Sequence, residues 1–194
     1  MDRSVPLTRR EAGGHRSTWT KRPSPQHAAV GTLALVPQVV AAVTLPVVAA
    51  GGIVDGRGVV AALALGASGA LLGTRFIATQ ESLAPAFYKE ALLKASRDET
   101  VLTDAFTGLY ARVVRNDFTE GYAASGAPVF PPIVQQLAVR DVTVASAARA
   151  SGAFYPMYAG QGCGALHDLP SAGELVSRTM AEAQTTLGVL CQLV

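Results

Sequence analysis

No charged residue interrupts the chain from Ala28 to Val54, which on length alone would suit a membrane span. Pro37, Pro46, Gly51 and Gly52 divide that run. It therefore reads as a helix over 32–43, a turn at Thr44 and a strand over 46–50, because an uninterrupted apolar strand is what a parallel sheet covered on both faces requires. Asp55-Gly56-Arg57-Gly58 then opens a helix that runs to Leu65. Asp55 is its expected N-cap, since a carboxylate accepts from the free N–H groups of a first turn. Gly66 ends the helix, and 69–72 supplies a second short apolar strand. Over 82–95 a further helix is predicted, with Leu83, Phe87, Ala91, Leu92 and Ala95 forming its apolar stripe. Strand, helix, strand, helix is the rhythm of an α/β fold built on a parallel sheet.

Beyond Ser96 the pattern changes. Two extended segments, 101–106 and 110–114, flank a turn at Gly108. A loop-rich stretch follows over 116–132, then helices over 133–137 and 144–150, a turn at Gly160-Gln161-Gly162 and a closing amphipathic helix over 172–187. The organisation expected is a barrel-like region over 1–98 and a smaller accessory region with the closing helix over 99–194.

Two glycine clusters, Gly51-Gly52 and Gly73-Thr74, each follow an apolar strand. In β/α barrels a phosphate commonly sits between the loops after neighbouring strands, where bare backbone N–H groups face it and no Cβ keeps it away. A phosphate-bearing cofactor is the first hypothesis. Near the start, Glu11-Ala12-Gly13-Gly14-His15-Arg16 is a glycine-flexed loop presenting a histidine, and a neutral imidazole at that position could take a proton from a carbon acid or hold a bound anion. His27 and His167 are expected at the surface or in caps. Arg75 is open to two readings, a charge beside the phosphate or a structural ion pair.

Composition narrows the classes. The net charge of +2 is too small to imply a nucleic-acid partner, and the basic residues near the start, Arg3, Arg9, Arg10, Arg16, Lys21 and Arg22, lack the apolar face of a transit peptide. Two cysteines without metal-ligand spacing, Cys163 and Cys191, point to a reduced, cytoplasmic chain with no metal site. Cys163, between glycines, is read as a thiol in an exposed turn. At 194 residues the chain is shorter than the roughly 250 of a complete eight-stranded barrel.

Taken in order, Glu11-Ala12-Gly13-Gly14-His15-Arg16, Gly31-Thr32-Leu33-Ala34-Leu35-Val36-Pro37-Gln38, Ala49-Ala50-Gly51-Gly52-Ile53 with Asp55-Gly56-Arg57-Gly58, Leu65-Gly66-Ala67 and Gly73-Thr74-Arg75-Phe76 resemble the nitronate monooxygenase family. The resemblance implies part of a (β/α)8 barrel, its C-terminal strands and helices, that binds flavin mononucleotide (FMN) and oxidises a small-molecule nitronate with molecular oxygen. It implies that His15 is the catalytic base or substrate-orienting group, that Gly13 lies against the flavin, and that Gly51, Gly52, Leu72, Gly73 and Thr74 hold the phosphate through main-chain donors. Gln161 is a further candidate for approach to the flavin, with turn formation as its other explanation. Neither a membrane nor a nucleic acid is implied as partner.

Relatives carry a long portion before the histidine loop, whereas ten residues precede Glu11 here, so the expectation is a truncated form whose activity is left open. A sibling branch, the flavin-type enoyl-[acyl-carrier-protein] reductases, shares the histidine loop and both glycine clusters. The tail, Asp104-Ala105-Phe106-Thr107-Gly108 through Tyr158-Ala159-Gly160-Gln161-Gly162, is more similar to the nitronate-oxidising branch. From a different class comes a non-catalytic barrel remnant that binds a phosphate compound or a partner chain.

Overall fold

The computed structural model describes residues 30–192. Helix α1 (Thr32–Ala42) leads into strand β1 (Val48–Ala50), helix α2 (Gly56–Ala64) and strand β2 (Gly69–Leu71). A one-turn helix α3 (Thr74–Ile77) follows, then α4 (Ala86–Lys94). The antiparallel hairpin of β3 (Thr100–Thr103) and β4 (Ala111–Val114) comes next, and α5 (Asp117–Ser125), α6 (Val134–Ala148) and α7 (Ala172–Cys191) complete the order.

β1 and β2 pair in parallel, with Val48 beside Gly69, Ala49 beside Ala70 and Ala50 beside Leu71. Together with α2 they make one β–α–β unit, which establishes the α/β class. Asp55 caps α2 as expected, accepting from the Gly58 amide at 2.9 Å. Burial works against its carboxylate, but the Gly58 amide and the Arg57 guanidinium outweigh burial and hold its pKa below the ordinary carboxylate value. The glycine at the start of α2 has a packing reason: a Cβ on Gly56 would stand 2.5 Å from the Thr179 carbonyl oxygen, so α7 lies directly against it. Leu175, Thr179 and Ala183, spaced four apart, are the buried face α7 presents.

The strands are not covered on both faces. Ala49 and Ala50 are buried, but Val48 is 55% and Leu71 62% exposed. Among the described residues this sheet has two strands, and the side chains of Val48 and Leu71 stand in solvent beside the buried Ala50. A small-residue cluster of Val36, Ala49, Ile53, Ala62 and Ala67 fills the inner side.

The second cluster holds larger side chains: Tyr88, Leu92, Met157, Cys163 and Leu166, joined by Ala78, Ala95, Val114 and Ala159. Cys163 is fully buried in it, not exposed in a turn, and burial raises its thiol pKa. Its neighbours form a 3-10 turn over Gln161–Ala165 rather than a simple reversal.

Other boundaries differ from the sequence reading. α4 begins at Ala86, because Pro85 disfavours helical backbone at the residue before it, and Leu83 stands wholly in solvent. The stretch expected as loop contains α5, whose Asn116 accepts from the Thr119 amide and whose C-cap Gly126 takes φ +64°. The two short helices over 133–150 are one, α6, since no glycine or proline interrupts residues 138–143. α7 continues past Leu187 to Cys191. Among the described residues no helix is long and apolar enough to cross a membrane.

Candidate functional site

The parallel register puts the ends of β1 and β2 side by side, so the loops that carry Gly51, Gly52, Leu72, Gly73 and Thr74 leave the sheet at the same edge. Gly51 and Gly52 take φ +106° and +75°, conformations side-chain-bearing residues rarely adopt. The Thr32 hydroxyl, in the first turn of α1, donates to the Gly51 carbonyl oxygen at 2.8 Å. A trans peptide holds its C=O and the following N–H in opposite directions, so this bond sets the direction of the Gly52 N–H. Among the described residues, a Cβ built on Gly52 or on Gly73 would meet no atom within 4 Å. Among these residues both glycines thus border space that a bound group could fill.

Leu72 is half-buried against the small-residue cluster beneath the loop. Gly73 is exposed and its carbonyl accepts from Phe76 and Ile77, which winds α3 away from the strand end. Thr74 opens α3, and its hydroxyl accepts from the Gly160 amide at 2.9 Å. The residues present fit a phosphate held by main-chain donors: two adjacent loop ends, free space over the glycines and a hydroxyl at the rim. Such groups need no charged side chain.

Of the two readings of Arg75, the structure takes the ion pair. Its side chain is buried, with Nη2 at 2.6 Å from Asp168 Oδ1 and Nη1 donating to the Asp168 carbonyl at 3.2 Å. Arg178 holds the other carboxylate oxygen at 2.6 Å. The Arg178 hydrogen bond and the Arg75 charge hold the Asp168 carboxyl below its usual range. Arg75 is therefore a tie between α3 and the segment leading to α7.

His15 and Gly13 lie outside the described residues, as does His27. His167 is exposed, and Gln161 is exposed at the start of its 3-10 turn. Among the described residues no group of three or more His, Cys, Asp or Glu side chains is placed to hold a metal ion. A cleft of about 300 Å³ lies away from the glycine loops, between Lys94, Glu99, Arg115 and Glu120, and its mixed charges suit neither a phosphate nor an apolar ring.

What sequence reasoning missed is the approach of Gly160 and Gly162 to this site. A Cβ on Gly162 would stand 2.7 Å from the Gly52 carbonyl oxygen, and one on Gly160 would stand 3.3 Å from the Gly52 nitrogen. The signal available was the pair of glycines itself, which flanks Gln161, the candidate for approach to the flavin or for turn formation.

Comparison with known proteins gives a consistent picture. A family model described as nitronate monooxygenase matches residues 4–182. The chain is 34% identical over 180 residues to a protein described as probable nitronate monooxygenase from Staphylococcus haemolyticus, covering 93% of this chain and 50% of that one. With the Staphylococcus aureus (strain Newman) protein of the same description it shares 48% identity over 110 residues, 57% of this chain and 31% of the other. Among solved structures, nitroalkane oxidase from Streptomyces ansochromogenes superposes with a TM-score of 0.83 at 38% identity, over 92% of this chain and 51% of that chain. FabK from Thermotoga maritima superposes with a TM-score of 0.76 at 32% identity, over 95% and 55% respectively. The chain spans about half the length of these relatives, or less.

Proposed function

The chain belongs to the nitronate monooxygenase family, and on that footing we propose that it is an FMN-dependent oxidoreductase acting on a nitronate with molecular oxygen. The single observation that supports this most is the juxtaposition of the two glycine loops at one end of the parallel pair, with space over Gly52 and Gly73 among the described residues. In this reading the main-chain N–H groups of Gly51, Gly52, Leu72, Gly73 and Thr74 bind the FMN phosphate. Gly13 lies against the flavin ring. His15 acts on the substrate, taking a proton or orienting the nitronate by hydrogen bonding, with its ring neutral at working pH. Bound FMN would supply the redox chemistry, accepting electrons from the nitronate and passing them to oxygen. The remaining barrel strands implied by the (β/α)8 fold would line the substrate pocket, and the substrate is a small nitronate.

The closer likeness to nitroalkane oxidase than to FabK, both in identity and in superposition, favours nitronate oxidation within this reading. The test is direct. The purified chain should be yellow, release flavin on heating and consume oxygen when given propionate 3-nitronate. An enoyl-[acyl-carrier-protein] reductase would instead oxidise NADH with an enoyl thioester. A colourless protein that consumes no oxygen overturns the enzymatic reading and favours a non-catalytic barrel piece. His15→Ala should retain flavin and lose turnover; unchanged turnover removes His15 from the mechanism.

A further inference from the structure

The segment around Gly160 belongs to neither glycine loop, yet it touches both. Upstream it is pinned to the hairpin: Val113 and Tyr158 form an antiparallel bridge, the Val114 amide donates to Met157 at 2.8 Å and the Ala159 amide to Arg112 at 3.1 Å. Downstream it is anchored by Cys163 and Leu166, 0% and 2% exposed in the larger apolar cluster. Between these anchors the Gly160 amide donates to the Thr74 hydroxyl, while Gly160 and Gly162 lie against the Gly52 backbone too closely for a side chain at Gly162. Val54 Cγ1 closes the same gap, 2.7 Å from where a Gly162 Cβ would be.

Two loops that donate to one anion must keep a fixed separation, and loops left to themselves are mobile. We propose that the 160–162 segment is a positioning strap that sets the separation of the Gly51-Gly52 and Gly73-Thr74 loops and thereby the affinity for the phosphate of a flavin nucleotide. This rests on the phosphate reading above and adds a residue set to it. The strap touches no reacting atom. Because the Thr74 oxygen accepts from Gly160, its own hydroxyl hydrogen stays available to an anion, so the same bond that spaces the loops orients a donor.

The test compares FMN with riboflavin, which lacks the phosphate, by flavin fluorescence titration of the chain and of Gly162→Ala, Gly160→Ala, Thr74→Val and Thr74→Ser. Gly173→Ala is the control, since a Cβ there meets nothing within 4 Å. Gly162→Ala and Thr74→Val should weaken FMN by about tenfold or more and leave riboflavin within about twofold, the size expected for hydrogen bonds to a charged group. Thr74→Ser should bind FMN as the parent does. Without any ligand, amide exchange at Gly160 should quicken in Thr74→Val and not in Thr74→Ser. Should Gly162→Ala fail to fold, Gly160→Ala, with its looser 3.3 Å approach, and the Thr74 pair carry the same comparison. A parent preference for FMN that survives Gly162→Ala, Gly160→Ala and Thr74→Val overturns the strap alone, as does equal weakening of FMN and riboflavin. A parent chain that does not distinguish FMN from riboflavin overturns the phosphate reading, and the strap's role with it.

Discussion

The β1–β2 unit and the β3–β4 hairpin are both two-stranded, yet one is finished and the other is not. The hairpin contributes Val114 to a cluster of larger side chains in which Leu92, Cys163 and Leu166 are all at 2% exposure or less. The parallel unit is packed on one side by small residues, mainly alanines, and turns Leu33, Leu45, Val48 and Leu71 outward. The candidate site sits on the less filled unit. Its loops touch the segment that the hairpin pins, through the Gly160 amide and the contacts at Gly162. The segment that touches those loops is thus anchored in the cluster of larger side chains, and stability and binding should respond differently to substitutions in the two clusters.

The largest effect is expected where the filled region is emptied: Leu92→Ala should lower unfolding stability in urea by about 3 kcal/mol, the range for a buried leucine. A loss below about 1 kcal/mol would mean that this cluster is not the main core. Next comes Gly56→Ala, which drives a methyl group onto the backbone of α7 and should remove about 2 kcal/mol, read as a lower denaturation midpoint. Loss of the α2–α7 seam affects the parallel unit first.

Asp168→Asn follows, at about 1 kcal/mol near neutral pH, kept small because half of the carboxylate faces water. Its pH dependence has a definite sign. Asp168 titrates below its ordinary range, so its stabilising effect is complete above that range and is lost as acid protonates it in the folded state, below about pH 4. The parent should therefore lose stability on acidification more steeply than the variant; parallel curves would show that the pairing of Asp168 with Arg178 and Arg75 contributes nothing.

These expectations also show how far the sequence could be read. Asp55 as a cap and the turn at Gly108 were legible because each is decided by residues within four positions. The placement of Gly51-Gly52 and Gly73-Thr74 at one end of the sheet followed from two apolar runs with a helix between them, a pattern that favours a parallel pairing. α5 was hidden by Gly121 and the nearby prolines, although Asn116 and Thr119 carried its start signal. The burial of Cys163, the choice of Asp168 by Arg75 and the approach of Gly162 to Gly52 join residues far apart in the chain, and no local pattern encodes them. Gly13 and His15, whose roles rest on family resemblance, lie outside the described residues.

The smallest effect sharpens the comparison most. Leu71→Ala, at a side chain 62% exposed, should change stability by no more than about 0.5 kcal/mol. A loss as large as that of Leu92→Ala would show that the outer face of the parallel unit is covered in solution, and that the two regions are equally filled.

The central claim, that the two glycine loops grip one phosphoryl group, is tested most directly by titrating the purified chain with FMN and with riboflavin. FMN should bind at least about tenfold more tightly, the margin that charge-assisted hydrogen bonds to phosphate supply. Equal affinities, or no binding of either, would contradict it.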